Sequence, residues 1–332
     1  MRSHHAARAL LAGSVVAVTA LTACSSSSSG KKIALVAYSV PKPAYDALGA
    51  AFEKTSAGKG VKITPSYGAS GDQSRAVLNG QKADYVAFSL EPDMTKLVPK
   101  YVDASWNSGP TKGLVSKSVV VLVVRKGNPK HITGWDDLVK PGIGIVTPDP
   151  ASSGSAKWNI LAAYTHVLEE GGTDAQAAAY LKQFFANVKA KPESGSKATQ
   201  TFLNGTGDVL VSYENEAIGA RQKGSAVDYI VPKESILIEN PAAVTTKASK
   251  AAKAFLSFAE SDAGQKIFIS KGFRPALDGV AVGSVTGANN PGSPFPAVQK
   301  LETIENLGGW KVANVKYFDP KVGIVTKIEN GG

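Results

Sequence analysis

Hydrophobic and polar positions along this chain follow two periods in turn, and the alternation predicts its elements. Apolar runs at 33–38, 61–65, 85–88, 143–147, 209–213, 229–231 and 236–238 read as strands. Between them apolar residues recur at helical spacing: over 44–55 with Tyr45, Leu48 and Phe52 inward, over 156–168 with Trp158, Leu161, Thr165 and Leu168 in one stripe, and over 135–139 and 175–188. The run 116–125, Ser-Lys-Ser-Val-Val-Val-Leu-Val-Val-Arg, is nearly all apolar and long enough to pass between two lobes before the turn Gly127-Asn128-Pro129. Strands alternating with helices argue for an α/β protein with mostly parallel sheets.

The strand-to-helix junctions carry the candidate chemistry. In Pro148-Asp149-Pro150-Ala151-Ser152-Ser153-Gly154-Ser155-Ala156-Lys157-Trp158 a buried strand ends and a helix starts through small hydroxyl residues. There the first backbone N–H groups lack an intrahelical partner, the helix dipole is positive, and side chains without bulk let a tetrahedral ion reach the main chain. Tyr67-Gly68-Ala69-Ser70-Gly71-Asp72-Gln73 and Glu193-Ser194-Gly195-Ser196-Lys197-Ala198 repeat the pattern ahead of helical stretches at 73–79 and 199–203. A single such serine is more often a helix cap than a ligand site. Three in one chain, with few charges in the loops, predict N–H groups from several elements converging on one anion.

The N-terminus sets the compartment. Arg2 and Arg8 precede an apolar run over 9–20, too short to span a bilayer comfortably, which reads as a secretory signal. It ends Leu21-Thr22-Ala23-Cys24, which resembles a bacterial lipobox; Cys24 is the only cysteine, so it has no disulfide partner in the chain, and lipidation explains it. Residues 25–30 follow as a flexible tether. Cleavage leaves 309 residues, which suits two lobes, and a net charge of +8 once Arg2 and Arg8 are gone. The lysines are scattered, with no aromatic-interleaved basic cluster, so nucleic acid is not the expected partner; attraction of anions or of an anionic envelope surface is.

At this point the residues carry a family resemblance. Ala69-Ser70-Gly71-Asp72-Gln73, Val124-Arg125-Lys126-Gly127-Asn128-Pro129-Lys130 with Trp135-Asp136-Asp137-Leu138, the loop from Pro150 to Trp158, Gly207-Asp208-Val209-Leu210 with Glu214-Asn215-Glu216, Phe273-Arg274-Pro275 and Gly308-Gly309-Trp310 resemble, in order and spacing, the successive blocks of the prokaryotic sulfate/thiosulfate-binding proteins. The likeness runs from about residue 33 to 331. It implies a two-lobed periplasmic-binding-protein type II fold, each lobe a mostly parallel sheet flanked by helices, with the ligand cleft between. The expected segments are a lipoprotein signal peptide (1–23), a lipidated tether (24–31), lobe 1 (32–115), lobe 2 (116–232), the return of lobe 1 (233–279) and a C-terminal segment packing across the lobes (280–332). The implied function is capture of sulfate or thiosulfate, outside the cytoplasmic membrane, for the permease of an ABC importer. The resemblance further implies a lipid-anchored monomer with no catalysis, cofactor, metal or nucleic acid.

Carried over by the resemblance, the ligand donors are Ser39, Ser70, Ser153, Gly154, Ser155, Ser196 and Tyr213. The family holds its dianion without a countercharge, by main-chain N–H groups, a serine hydroxyl and an indole N–H. Ser39 stands where the family commonly has Asp, a change tolerable if only its N–H is used. Ser155 replaces a Gly, and Tyr213 replaces a Trp in the sulfate branch and an aromatic without a donor in the thiosulfate branch, which opens the choice to another oxyanion such as molybdate or phosphate.

An envelope serine acyl hydrolase is the competing class, since Ser194-Gly195-Ser196-Lys197 matches S-x-x-K. Neither S-D-N, K-T-G nor G-x-S-x-G accompanies it, and the histidines left after cleavage, His131 and His166, are not spaced as a metal pair or beside a nucleophile. His166 reads as a partly exposed histidine on its helix. Gly205-Thr206-Gly207 precedes a strand, which argues against a nucleotide loop. Glu214, Glu216 and Asp208 read as carboxylates favouring a helix start, away from any bound anion.

Overall fold

The computed structural model describes residues 32–331. The expected signal sequence, Cys24 and the expected serine tether lie outside the described residues. Strands β1 (Lys32–Tyr38) and β2 (Lys62–Gly68) flank helix α1 (Lys42–Phe52); α2 (Ser70–Leu78), β3 (Tyr85–Ala87) and the short α3 (Glu91–Thr95) follow. β1 pairs in parallel with both β2 and β3. The long β4 (Leu114–Arg125) leads, through a 3-10 turn over Trp135–Val139, to β5 (Ile145–Val146), α4 (Gly154–Glu169), α5 (Asp174–Ala186) and β6 (Val188–Ala190). Then come α6 (Gly195–Leu203), β7 (Val209–Tyr213), α7 (Glu214–Gln222), β8 (Val227–Ile230) and β9 (Glu234–Val244). The chain finishes with α8 (Lys250–Glu260), α9 (Asp262–Ser270), β10 (Lys300–Glu302), α10 (Gly309–Phe318) and α11 (Ile324–Glu329).

The sheet path runs β2-β1-β3-β9-β4-β7-β5-β6. Two strands are shared between its halves. β4 is antiparallel to β9 over 114–119 and to β7 and β8 over 120–125, while the end of β9 pairs with β3. Each lobe keeps parallel pairs of its own, β1 with β2 and β3, and β5 with β6 and β7. The crossing strands are antiparallel because β4 runs out from lobe 1 and β9 runs back, so the lobes are joined by a two-stranded hinge.

Long-range burial decides what local pattern left open. The predicted inward face of α1 is buried, Tyr45 and Phe52 meeting Tyr85, Phe255 and Phe268 edge-on at ring separations of 5.3–5.8 Å. Two of these partners come from α8 and α9, which return over lobe 1. α4 is buried on nearly all sides, because α10 supplies Trp310 at 4.7 Å from Trp158 and Tyr317 at 4.9 Å from Tyr164. His166 is therefore not a surface histidine: it is 2% exposed, stacked on Trp135 and met edge-on by Tyr180. The strand expected at 143–147 contracts to Ile145–Val146, since Gly144 is diverted to Asp208, donating its N–H to the carboxylate and accepting the N–H of Asp208 and Val209.

Glu214, at the start of α7, is fully buried under Arg274, which grips it with two N–H donors at 2.7 and 3.2 Å and gives a third to the Pro296 carbonyl. Burial raises the Glu214 pKa, and Arg274 pulls it back. Removing one partner strands a buried charge. Arg274→Ala is expected to cost about 3–5 kcal/mol in urea unfolding at neutral pH. A loss below about 1 kcal/mol, the range of exposed pairs, would show that the pair contributes no more than a surface one.

Candidate functional site

Three helices begin around one crevice, and they do so at the carboxyl ends of parallel strands, where open α/β sheets place ligands. Ser70 of α2, Ser153 and Ser155 of α4, and Ser194 and Gly195 at α6 wall it together with Tyr38, Ser39 and Val40 after β1 and Gly68 and Ala69 after β2. In this closed arrangement the walls leave no room for a water molecule, far from the roughly 300–1,000 Å³ of clefts that take drug-sized ligands. No wall residue carries a charge.

The helix starts are not alike. α5, α6, α8 and α9 are capped by the side chains of Thr173, Ser194, Ser249 and Ser261. α2 and α4 have no side-chain cap: Ala69 has none to offer, and Ser153, though buried, does not turn its hydroxyl onto its own helix. Ser153 thus makes no side-chain cap on its own helix, and the first amides of α2 and α4, which start at the crevice, lack an acceptor inside their helices.

Hydrogen bonding sorts the candidate donors. Ser70 spends its hydroxyl, donating to Asp93 Oδ2 at 2.7 Å and accepting from the Ser89 N–H at 3.0 Å, so only its amide is left. Ser39 is the reverse: its N–H donates to the Gly68 carbonyl at 2.9 Å, while its hydroxyl is buried without a protein partner. Its N–H is thus engaged in this structure, and its hydroxyl is the group left free. Beside it the Tyr38 hydroxyl is also buried and unpaired; sequence reasoning passed over it, although it ends the same strand. Buried polar groups in native proteins nearly always find a partner, which singles out the Ser39 hydroxyl in this wall.

Three expected donors stand outside the crevice wall: Gly154, which packs against Ser89 and Leu90, Ser196 and Tyr213. Ser196 lines a wider neighbouring groove of about 520 Å³ that shares Ser39 and Val40 with the crevice and holds Glu216, whose carboxylate accepts from Thr199 Oγ1 at 2.6 Å. Burial raises the Glu216 pKa, opposed by Thr199 and Lys223. Tyr213 is absent from the crevice wall; its fully buried phenol lies 2.7 Å from Ser89 Oγ. Burial raises its pKa, opposed by Ser89, Ser155 and Asn240, so it stays a neutral phenol.

Ser89, which sequence reasoning also missed, gathers the contacts between lobes. It follows β3 in lobe 1, and its carbonyl accepts from Trp158 Nε1 of α4 at 2.9 Å and from Asn240 of β9 at 3.2 Å. The Gly71 N–H crosses to the Ser152 carbonyl at 3.1 Å. Gly154 makes this approach possible, because a Cβ there would lie 2.7 Å from both Cβ and Oγ of Ser89 and 2.8 Å from Leu90 Cγ.

The family model for the bacterial extracellular solute-binding proteins matches residues 33–274. The sulfate-binding protein of Synechococcus elongatus is 37% identical over 96% of this chain and 93% of its own, and the thiosulfate-binding protein of Escherichia coli is 31% identical over 85% and 86%. Among solved structures, the sulfate-binding protein SubI of Mycobacterium tuberculosis superposes with a TM-score of 0.81 at 44% identity, over 87% of this chain and all of that one.

Closure depends on a glycine at 154. Gly154→Ala is expected to hold the lobes apart, raising the radius of gyration in small-angle scattering, and to cost about 1–3 kcal/mol of stability, the usual penalty of overpacking. An unchanged radius together with unchanged unfolding would mean that Ser89 and Leu90 yield to a methyl group.

Proposed function

Since the chain belongs to the sulfate/thiosulfate-binding branch of the bacterial extracellular solute-binding proteins, we propose that it captures sulfate between its lobes and delivers it to the permease of an ABC importer. It is a binding protein and not an enzyme. The observation that carries the choice of ligand is the uncharged crevice into which uncapped α2 and α4 start.

Sulfate has no proton near neutral pH, so a site made of donors can satisfy every oxygen. The amides of Ser70, Gly154 and Ser155 with the hydroxyls of Ser153 and Ser39 supply that set, and Ser196 and Gly195 at the start of α6 extend it. Each N–H or O–H bond to the dianion is charge-assisted, and the three helix dipoles add to it. Hydrogen phosphate needs an acceptor as well. The nearby carboxylates are engaged, Asp93 by Ser70 and Lys96, Glu216 by Thr199. Tyr213 supports the site by holding Ser89 of lobe 1 rather than by touching the ion. A ligand that bridges the lobes stabilises the closed arrangement by its differential affinity, and a permease can read that closure.

The protein works as a monomer outside the cytoplasmic membrane, tethered by a lipid on Cys24. No helix among the described residues is long and apolar enough to cross a membrane, and the anchoring rests on the Leu21-Thr22-Ala23-Cys24 box behind the short apolar run.

Calorimetry at neutral pH is expected to give sulfate about tenfold to a hundredfold tighter binding than phosphate, the cost of one unpaired O–H. Ser153→Ala is expected to weaken sulfate by about 1.5–3 kcal/mol while changing unliganded stability by less. Phosphate binding as tight as sulfate would refute the donor-only site. For the anchor, Cys24→Ala is expected to release the protein from the membrane fraction, and full membrane retention would contradict acylation there.

A further inference from the structure

Away from the crevice, at the far end of α4, three side chains from two elements meet. A ring nitrogen of His166, a carboxylate oxygen of Asp136 in the 3-10 turn and one of Glu170 just past α4 all lie within 4.8 Å of one another. His166 and Glu170 are four residues apart and share one helix face. The imidazole is held between Trp135, stacked at 6.0 Å, and Tyr180, edge-on at 4.5 Å, and its Nε2 is buried without a protein partner. Both acids are exposed and free to change rotamer.

The charges around this cluster are unbalanced. Neither Asp136 nor Glu170 takes part in an ion pair among the described residues. Lys140 is spent on Asp137, and Lys300 donates to the Glu169 carbonyl while lying 3.9 Å from Glu234. Two unpaired carboxylates at the negative end of a 16-residue helix repel its dipole, whereas a cation there would be favoured.

We propose that Asp136, His166 and Glu170 form a divalent-cation site suited to Zn²⁺, with the three side chains as ligands and water completing the shell. One imidazole with two carboxylates is a nitrogen–oxygen set that Zn²⁺ accepts in tetrahedral geometry, at about 2.0–2.2 Å from each ligand atom. Ca²⁺ and Mg²⁺ favour oxygen alone. Both acids are exposed, so a change of rotamer can bring their carboxylates toward the ring nitrogen from the present spacing of up to 4.8 Å. Sequence spacing hid the site because His131 and His166 make no metal pair; the partner ligand on the 3-10 turn is brought in only by the fold. The helix places it roughly 24 Å from the crevice, at 1.5 Å per residue, so the inference stands independently of the proposed function.

The test is calorimetry of chelator-treated protein with Zn²⁺ alone at neutral pH, paired with the visible spectrum of Co²⁺ in its place. The expected result is one saturable Zn²⁺ site, Co²⁺ bands of nitrogen–oxygen coordination, and about a tenfold or greater loss of Zn²⁺ affinity in His166→Gln. Because His166 is buried, the exposed double variant Asp136→Asn/Glu170→Gln, which leaves the ring in place, must show the same loss. Absence of saturable binding, Ca²⁺ binding as tight as Zn²⁺, or Zn²⁺ affinity unchanged in the double variant would each overturn the proposal.

Discussion

The structure turns on main-chain N–H groups that nothing in their own helices uses. A helix start left bare is costly unless something accepts from it, and four helices here, α5, α6, α8 and α9, are closed by a serine or threonine side chain. α2 and α4 are among the helices without such a cap, and they face each other across the lobes. On the proposed function, leaving them uncapped in a wall without charge gives a site whose attraction for an anion comes from aligned dipoles. Such a site discriminates by protonation state, because it offers protons and few places to put one.

That requirement shapes the rest of the molecule. The two helix starts belong to different lobes, so the site exists only where the lobes meet, and β4 with β9 supplies the hinge on which they do. Contact is then concentrated on Ser89, held by Ser70 from its own lobe, by Trp158 and Tyr213 from the other, and by Asn240 from the hinge strand. Small residues follow from the same demand: glycines at 71, 154 and 195 each stand where a Cβ would press on the facing element at 3.0 Å or less.

Much of this was legible in the sequence because it is local. A buried strand, a run of small hydroxyl residues and a helical stripe lie within some twenty residues, so the three junctions and the fold class could be read without knowing what packs where. The roles of individual groups could not. Ser39 and Ser70 look equivalent in sequence, yet Gly68 takes the amide of one and Asp93 the hydroxyl of the other. Tyr213 reads as a ligand donor in sequence, while in the fold its phenol meets Ser89, 124 residues away. His166 reads as a surface residue until Trp135 and Tyr180 close over it. Helices after residue 203 also escaped the periodic reading, and they supply much of the aromatic core, Phe255, Phe268, Trp310 and Tyr317 among it.

The central claim is that bare helix amides, rather than charged side chains, hold the ion, and amide proton shifts on adding sulfate to isotope-labelled protein test it most directly. Hydrogen bonds to a dianion should move the amide protons of Ser70, Gly154 and Ser155 strongly downfield, while that of Ser39, already donated to Gly68, should move far less. Unmoved signals at those three amides, with the changes gathered instead around Lys42, Lys223 and Lys271 of the wider groove, would contradict the account.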